Sequence, residues 1–134
     1  MESSKSQEDV DYSSIRAIVI DDDLDVRDVF VDLLKMYEIN VVGTGSTAIE
    51  AIELYMTHNP DFVFMDYLMP THNGLYGAEK IREFDPHARI VLVSGSYFEN
   101  GAHDNLVNAI LEKPISITEV LNTINKMIST IPAK

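Results

Sequence analysis

Ile18-Val19-Ile20-Asp21-Asp22 and Phe62-Val63-Phe64-Met65-Asp66 are two apolar runs that each end on a carboxylate. Short runs rich in β-branched and aromatic residues read as strands buried on both faces of a parallel sheet. Ile90-Val91-Leu92-Val93-Ser94 repeats the pattern with a terminal hydroxyl, and Ile110-Leu111-Glu112-Lys113-Pro114 brings an ammonium to the same relative place. In an open parallel sheet, ligands bind in the crevice outside the carboxyl ends of the strands. If these strands are neighbours, three carboxylates, a hydroxyl and an ammonium meet at one pocket. That set suits a divalent cation and a phosphoryl group.

Outward from these runs, strand-like and helix-like stretches alternate, the mark of a βα-repeated parallel sheet. The first strand is predicted over 16–21, followed by a helix with Val26, Val29, Phe30, Leu33, Leu34 and Tyr37 on one stripe. A second strand over 39–42 ends at Gly43-Thr44-Gly45, and Ser46 is the expected N-cap of a helix carrying Ala48, Ile52, Tyr55 and Met56. Asn59-Pro60 stops that helix, and the third strand covers 61–66. After a turn over 71–74 comes a helix marked by Ala78, Ile81 and Phe84, with Gly77 weakening its propensity. The fourth strand is placed at 88–94 and the fifth at 109–113. Between them, glycine and asparagines interrupt any apolar stripe, so a short or irregular helix is expected over 96–108. Ser116 and Glu119 then open the last helix as a capping box, with Ile117, Val120, Leu121, Ile124, Ile128 and Ile131 in helical spacing.

At 134 residues the chain fits one domain with a real core, and the pattern leaves no room for a second. Residues 1–14 are polar and read as a mobile tail, with a further short tail at 132–134. A net charge of −12, from 22 acidic and 10 basic residues, argues against sequence-independent nucleic-acid binding and against docking on an anionic membrane. No cysteine is present, which excludes disulfides and thiolate metal sites. The chain has no apolar run of spanning length and no signal-peptide pattern, so the expected location is cytoplasmic.

Asp21, Asp22 and Asp66 at adjacent strand ends would set like charges against one another, an arrangement that needs an offsetting cation. Mg²⁺ is the natural candidate, a hard ion held by one or two carboxylates with positions left for phosphate oxygens. Asp23 reads instead as a helix N-cap and Asp25 as a first-turn residue favoured by the helix dipole. Lys113 could reach the pocket as a point charge toward a phosphoryl oxygen, and Ser94 could donate a hydroxyl to it. His58, His72, His87 and His103 show no metal-ligand spacing and read as solvated residues near loops and helix ends.

The acidic pair, then Asp-x-x-Met-Pro-x-x-x-Gly from Asp66 to Gly74, then Ser94, then Lys113-Pro114, resembles the receiver domain of two-component response regulators. The resemblance covers 15–131. It implies a flavodoxin-like, doubly wound α/β fold: a five-stranded parallel sheet of order 2-1-3-4-5 with about five helices, the fourth shortened or irregular here. It implies that Asp66 accepts a phosphoryl group from the phosphohistidine of a histidine kinase or histidine phosphotransfer protein. It implies Mg²⁺ on Asp22, Asp66 and the Leu68 backbone carbonyl, with Asp21 acting through water. Ser94 and Lys113 would hold the phosphoryl oxygens, and signalling would run through contacts with a downstream protein rather than turnover of a substrate. A cis bond before Pro114 is also part of the resemblance. The chain departs from the pattern where the family carries a switch aromatic, having Ile110 and Leu111 there, and its 94–113 segment is a few residues short. Leu68 and Ser96 stand where the family tunes hydrolysis; Tyr97 and Phe98 are the nearest substitutes for the missing ring.

Two rival readings exist. Asp21-Asp22-Asp23 contains the Asp-x-Asp of a haloacid-dehalogenase-like phosphohydrolase, but that reading leaves Asp66 and the 69–74 segment unexplained. A receiver-shaped interaction module that is never phosphorylated would leave the complete acidic pocket without a use.

Overall fold

The computed structural model describes residues 10–95 and 105–130. Five strands, β1 (Arg16–Ile20), β2 (Asn40–Gly45), β3 (Phe62–Asp66), β4 (Ile90–Ser94) and β5 (Ala109–Glu112), pair in parallel in the order β2-β1-β3-β4-β5. Every residue of β3 and β4 is buried, as expected for central strands covered on both faces. Among the described residues there are four helices: α1 (Leu24–Met36), α2 (Ala48–His58), α3 (Gly74–Phe84) and α4 (Ile117–Thr130). The expected irregular helix over 96–108 lies mostly outside the described residues, and 105–108 form a turn.

The two faces of the sheet carry separate cores. Phe30 and Leu34 of α1 and Val120, Leu121 and Ile124 of α4 pack with Val19, Phe64 and Val91 on one side. Ala51 and Tyr55 of α2 and Ala78 and Ile81 of α3 pack with Ile18, Met65 and Leu92 on the other. Alternate residues of one strand thus serve opposite cores, which makes this the doubly wound, flavodoxin-like arrangement.

Several local expectations are corrected. β2 extends through Gly45, because Gly43 and Gly45 pair with Ile18 and Ile20 of β1. A Cβ on Gly43 would stand 2.9 Å from Leu54 Cδ2, so the glycine permits α2 to lie close to the strand. The cap of α2 is Thr47, whose Oγ1 accepts the Glu50 N–H at 3.1 Å, while Ser46 Oγ accepts from Arg27 Nη1 at 3.0 Å. Val29, Met56, Phe84 and Ile128, expected on buried stripes, are 58%, 55%, 53% and 47% exposed, because the buried strip is narrower than the apolar stripe: Phe30 and Leu34 carry it on α1, Tyr55 on α2 and Ile81 on α3. The tail expected over 1–14 is corrected at residue 12, which packs on the fold. Tyr12 is buried in the first core, its hydroxyl donating to Asn125 Oδ1 of α4 at 3.1 Å, and its carbonyl accepts the Ile15 N–H. Residues 1–9 and 131–134, which include the expected C-terminal tail, lie outside the described residues.

Candidate functional site

β1 and β3 are adjacent, with Ile20 level with Met65, so Asp21 and Asp66 leave the sheet side by side. The Asp21 N–H donates to the Gly45 carbonyl at 3.0 Å, which uses the extended end of β2 to fix the chain at the acidic pair. Oxygen atoms of Asp21, Asp22 and Asp66 all lie within 4.8 Å of one another. Asp21 and Asp66 are buried and Asp22 is exposed, so the cluster has one open side.

Lys113 follows β5 and reaches back across β4. Its Nζ lies 3.1 Å from Asp21 Oδ2 and 3.2 Å from Asp66 Oδ1. Its backbone N–H donates to the Ser94 carbonyl at 2.8 Å, and the bond between Lys113 and Pro114 is cis. Ser94 is buried at the end of β4, one residue past Val93, which pairs with Asp66. Leu68 lies two residues beyond Asp66 with its side chain 60% exposed. Asp23 stays outside the cluster: its Oδ1 accepts the N–H groups of Asp25 and Val26 as the N-cap of α1, and its own N–H donates to Asp21 Oδ1.

One ammonium against three carboxylates leaves two negative charges uncompensated. The effect shows on Asp66, whose carboxyl is held above its usual range by burial first and by the Asp21 charge second, despite the opposing pull of Lys113. Burial alone would draw the Lys113 ammonium down. The hydrogen bonds and charges of Asp21 and Asp66 outweigh that, and its net direction is up. Three converging hard oxygen donors with surplus negative charge are what a small divalent cation requires.

The sequence singled out Gly74 only as part of a motif; its reason is steric. A Cβ there would fall 2.5 Å from the Asp66 carbonyl oxygen and 2.8 Å from Leu92 Cδ2. The Gly74 N–H donates to the Tyr67 carbonyl at 2.7 Å and Asn73 caps α3, so this helix starts in contact with the backbone of Asp66. Thr71, in the loop between, adopts φ 73°, a strained value for a β-branched residue. His72 is not merely solvated, since its ring stacks on Tyr76 with centroids 4.0 Å apart. Ser96, Tyr97, Phe98 and His103 lie outside the described residues.

The acidic pocket and its lysine thus lie at the carboxyl edge of a flavodoxin-like sheet. A family model described as the response regulator receiver domain matches residues 17–125, and the chain belongs to that family. The chain is 30% identical over 122 residues to the chemotaxis protein CheY of Bacillus subtilis, covering 85% of this chain and 98% of that one. It is 29% identical over 119 residues to CheY of Thermotoga maritima, covering 83% and 98%. Among solved structures, the response regulator domain of Thermotoga maritima CheB superposes with a TM-score of 0.78 at 28% identity, over 88% of this chain and 98% of that one. CheY in a CheX-CheY-BeF3-Mg complex from Borrelia burgdorferi matches the fold with a TM-score of 0.80 at 23% identity, over 96% and 100%.

Proposed function

We propose that the chain is a phosphoacceptor: Asp66 takes a phosphoryl group from a phosphohistidine on a sensor kinase or histidine phosphotransfer protein. The supporting observation is the pocket in which Lys113 bridges Asp21 and Asp66 while exposed Asp22 completes the cluster on its open side. In the transfer, an Asp66 carboxylate oxygen attacks phosphorus, the P–N bond to imidazole breaks with its electron pair leaving on nitrogen, and an acyl phosphate forms. Water later attacks phosphorus, releasing inorganic phosphate and restoring the carboxylate. The chain therefore catalyses its own modification and its reversal, and turns over no other substrate.

Asp21, Asp22 and Asp66 would hold Mg²⁺, with the Leu68 carbonyl as a further ligand; the ion supplies charge neutralisation on the phosphoryl oxygens. Lys113 carries a positive charge to the same oxygens, and Ser94, at the end of β4, donates its hydroxyl to the phosphorylated form. Burial of Asp21 and Asp66 keeps bulk water from screening these charges. An apolar hollow beside Lys113, lined by Val26, Val29, Pro114 and Ile115, gives a donor protein a surface next to the acceptor. No helix among the described residues is long and apolar enough to cross a membrane. A cytoplasmic receiver that signals by protein contact, without binding nucleic acid itself, fits this and the acidic surface.

Against the phosphohydrolase reading, the second carboxylate of Asp-x-Asp, Asp23, is engaged in capping α1. The direct test is transfer from a histidine kinase phosphorylated on its histidine. A base-labile label should move to this chain in Mg²⁺ and stay on the kinase after chelation; label that moves equally well without metal refutes the proposal.

A further inference from the structure

β5 is an edge strand four residues long, paired only with β4, and it carries Lys113 at its end. Its site end is fastened by the Lys113 N–H to the Ser94 carbonyl. The opposite end is fastened by Asn108, whose N–H donates to the Ile90 carbonyl at 2.8 Å and whose Oδ1 accepts the Ile90 N–H at 2.7 Å. Arg82, in the last turn of α3, grips this second point. Its Nη2 donates to Asn108 Oδ1 at 3.1 Å, its Nε to the Leu106 carbonyl at 3.1 Å and its Nη1 to the Pro86 carbonyl at 2.8 Å.

We infer that Arg82 is a positioning residue for Lys113, acting one strand-length away by pinning the register of β5 on β4. This rests on the phosphoacceptor reading of the pocket. Strand side chains alternate between faces, so a slip of one residue would exchange the buried Leu111 with the exposed Ile110 and turn Lys113 away from the acidic cluster. A short edge strand with one neighbour has few ladder bonds to resist such a slip. The planar guanidinium reaches three acceptors at fixed angles, which a lysine ammonium on a flexible stem does not reproduce. Asp21 and Asp22 follow β1 and Asp66 ends β3, outside the reach of the clamp. Arg82 thus bears on the lysine and leaves the backbone that carries the metal ligands in place.

The test measures Mg²⁺ affinity and the rate of phosphate uptake from a small phosphodonor, with and without Arg82. Arg82→Ala should slow uptake by about tenfold or more, since a misplacement near 1 Å can cost about a hundredfold. Mg²⁺ affinity should hold or rise, because withdrawing the ammonium frees the Asp21 and Asp66 carboxylates, and Arg82→Lys should recover only part of the rate. In a Lys113→Ala background, loss of Arg82 should slow the residual rate no further. Equal slowing in both backgrounds, rate and Mg²⁺ affinity falling together, or no slowing at all overturns the inference. If Arg82→Ala does not fold, Asn108→Ala poses the same question, since it removes the pin and keeps the bonds to Leu106 and Pro86. If the wild type takes up no phosphate, the phosphoacceptor reading fails on its own. The clamp is then decided by whether Arg82→Ala speeds amide exchange at Lys113 relative to the amides of β3.

Discussion

The two ends of the sheet use carboxylates in opposite ways. At the amino end each has its own partners: Asp61 Oδ2 accepts the Arg16 N–H at 2.9 Å, and Asp85 accepts the Tyr55 hydroxyl at 2.6 Å and the His87 N–H at 2.9 Å. At the carboxyl end Asp21 and Asp66 share one ammonium and face Asp22 besides. The first arrangement stabilises the fold, whereas the second stores repulsion that a cation can relieve. Breaches of local polar satisfaction of this kind are where functional sites are expected.

The largest effect that sharpens this contrast is steric. Gly74→Ala should cost about 3 kcal/mol in denaturant unfolding, by forcing a methyl against the Asp66 carbonyl and Leu92. Gly95→Ala, whose Cβ would meet nothing within 4 Å, should stay within about 0.5 kcal/mol. Next, Asp85→Ala should destabilise by about 2 kcal/mol, because it removes the acceptor from a buried tyrosine hydroxyl. Asp22→Asn should do the reverse and stabilise the metal-free protein by about 1 kcal/mol, an effect that high salt reduces. A loss of stability in metal-free Asp22→Asn would break the contrast.

The smallest effect is the dependence on pH. The Asp66 value is raised in the folded protein above the ordinary 3.8, so at a pH between the two the native state holds a proton that the unfolded chain has released. Its contribution is therefore greatest below that ordinary value and declines as pH rises through the folded one. Thermal unfolding without metal should show this decline in the wild type and lack it in Asp66→Asn. Lys113, raised above 10.5, contributes below that value and loses its contribution as pH climbs past the folded one. Saturating Mg²⁺ should reverse the acid-side trend by stabilising the ionised cluster, by about 2.7 kcal/mol at a hundredfold excess over its Kd.

The strands and their terminal charges were legible because each is written in one contiguous run, with period and end residue together. The caps at Asp23 and Ser116 were legible for the same reason, being contacts within three residues. Where the stripes stop being buried was not. Val29 and Phe84 keep helical spacing, and the period alone does not say how wide a strip of each helix is covered. The use of Gly43 and Gly45 as strand residues depends on how near α2 lies, which no local pattern records. Tyr12 and Arg82 escaped notice because their partners, Asn125 and Asn108, are 113 and 26 residues away. Long-range polar pairs of single residues leave no periodic trace.

The central claim is that Asp66 is the acceptor at a metal-dependent pocket. Intact mass after incubation with a small phosphodonor tests it most directly. The wild type should gain one phosphoryl group in Mg²⁺ and none in chelator, and Asp66→Asn should gain none in either. An equal gain in Asp66→Asn, or no gain in the wild type with Mg²⁺, would contradict it.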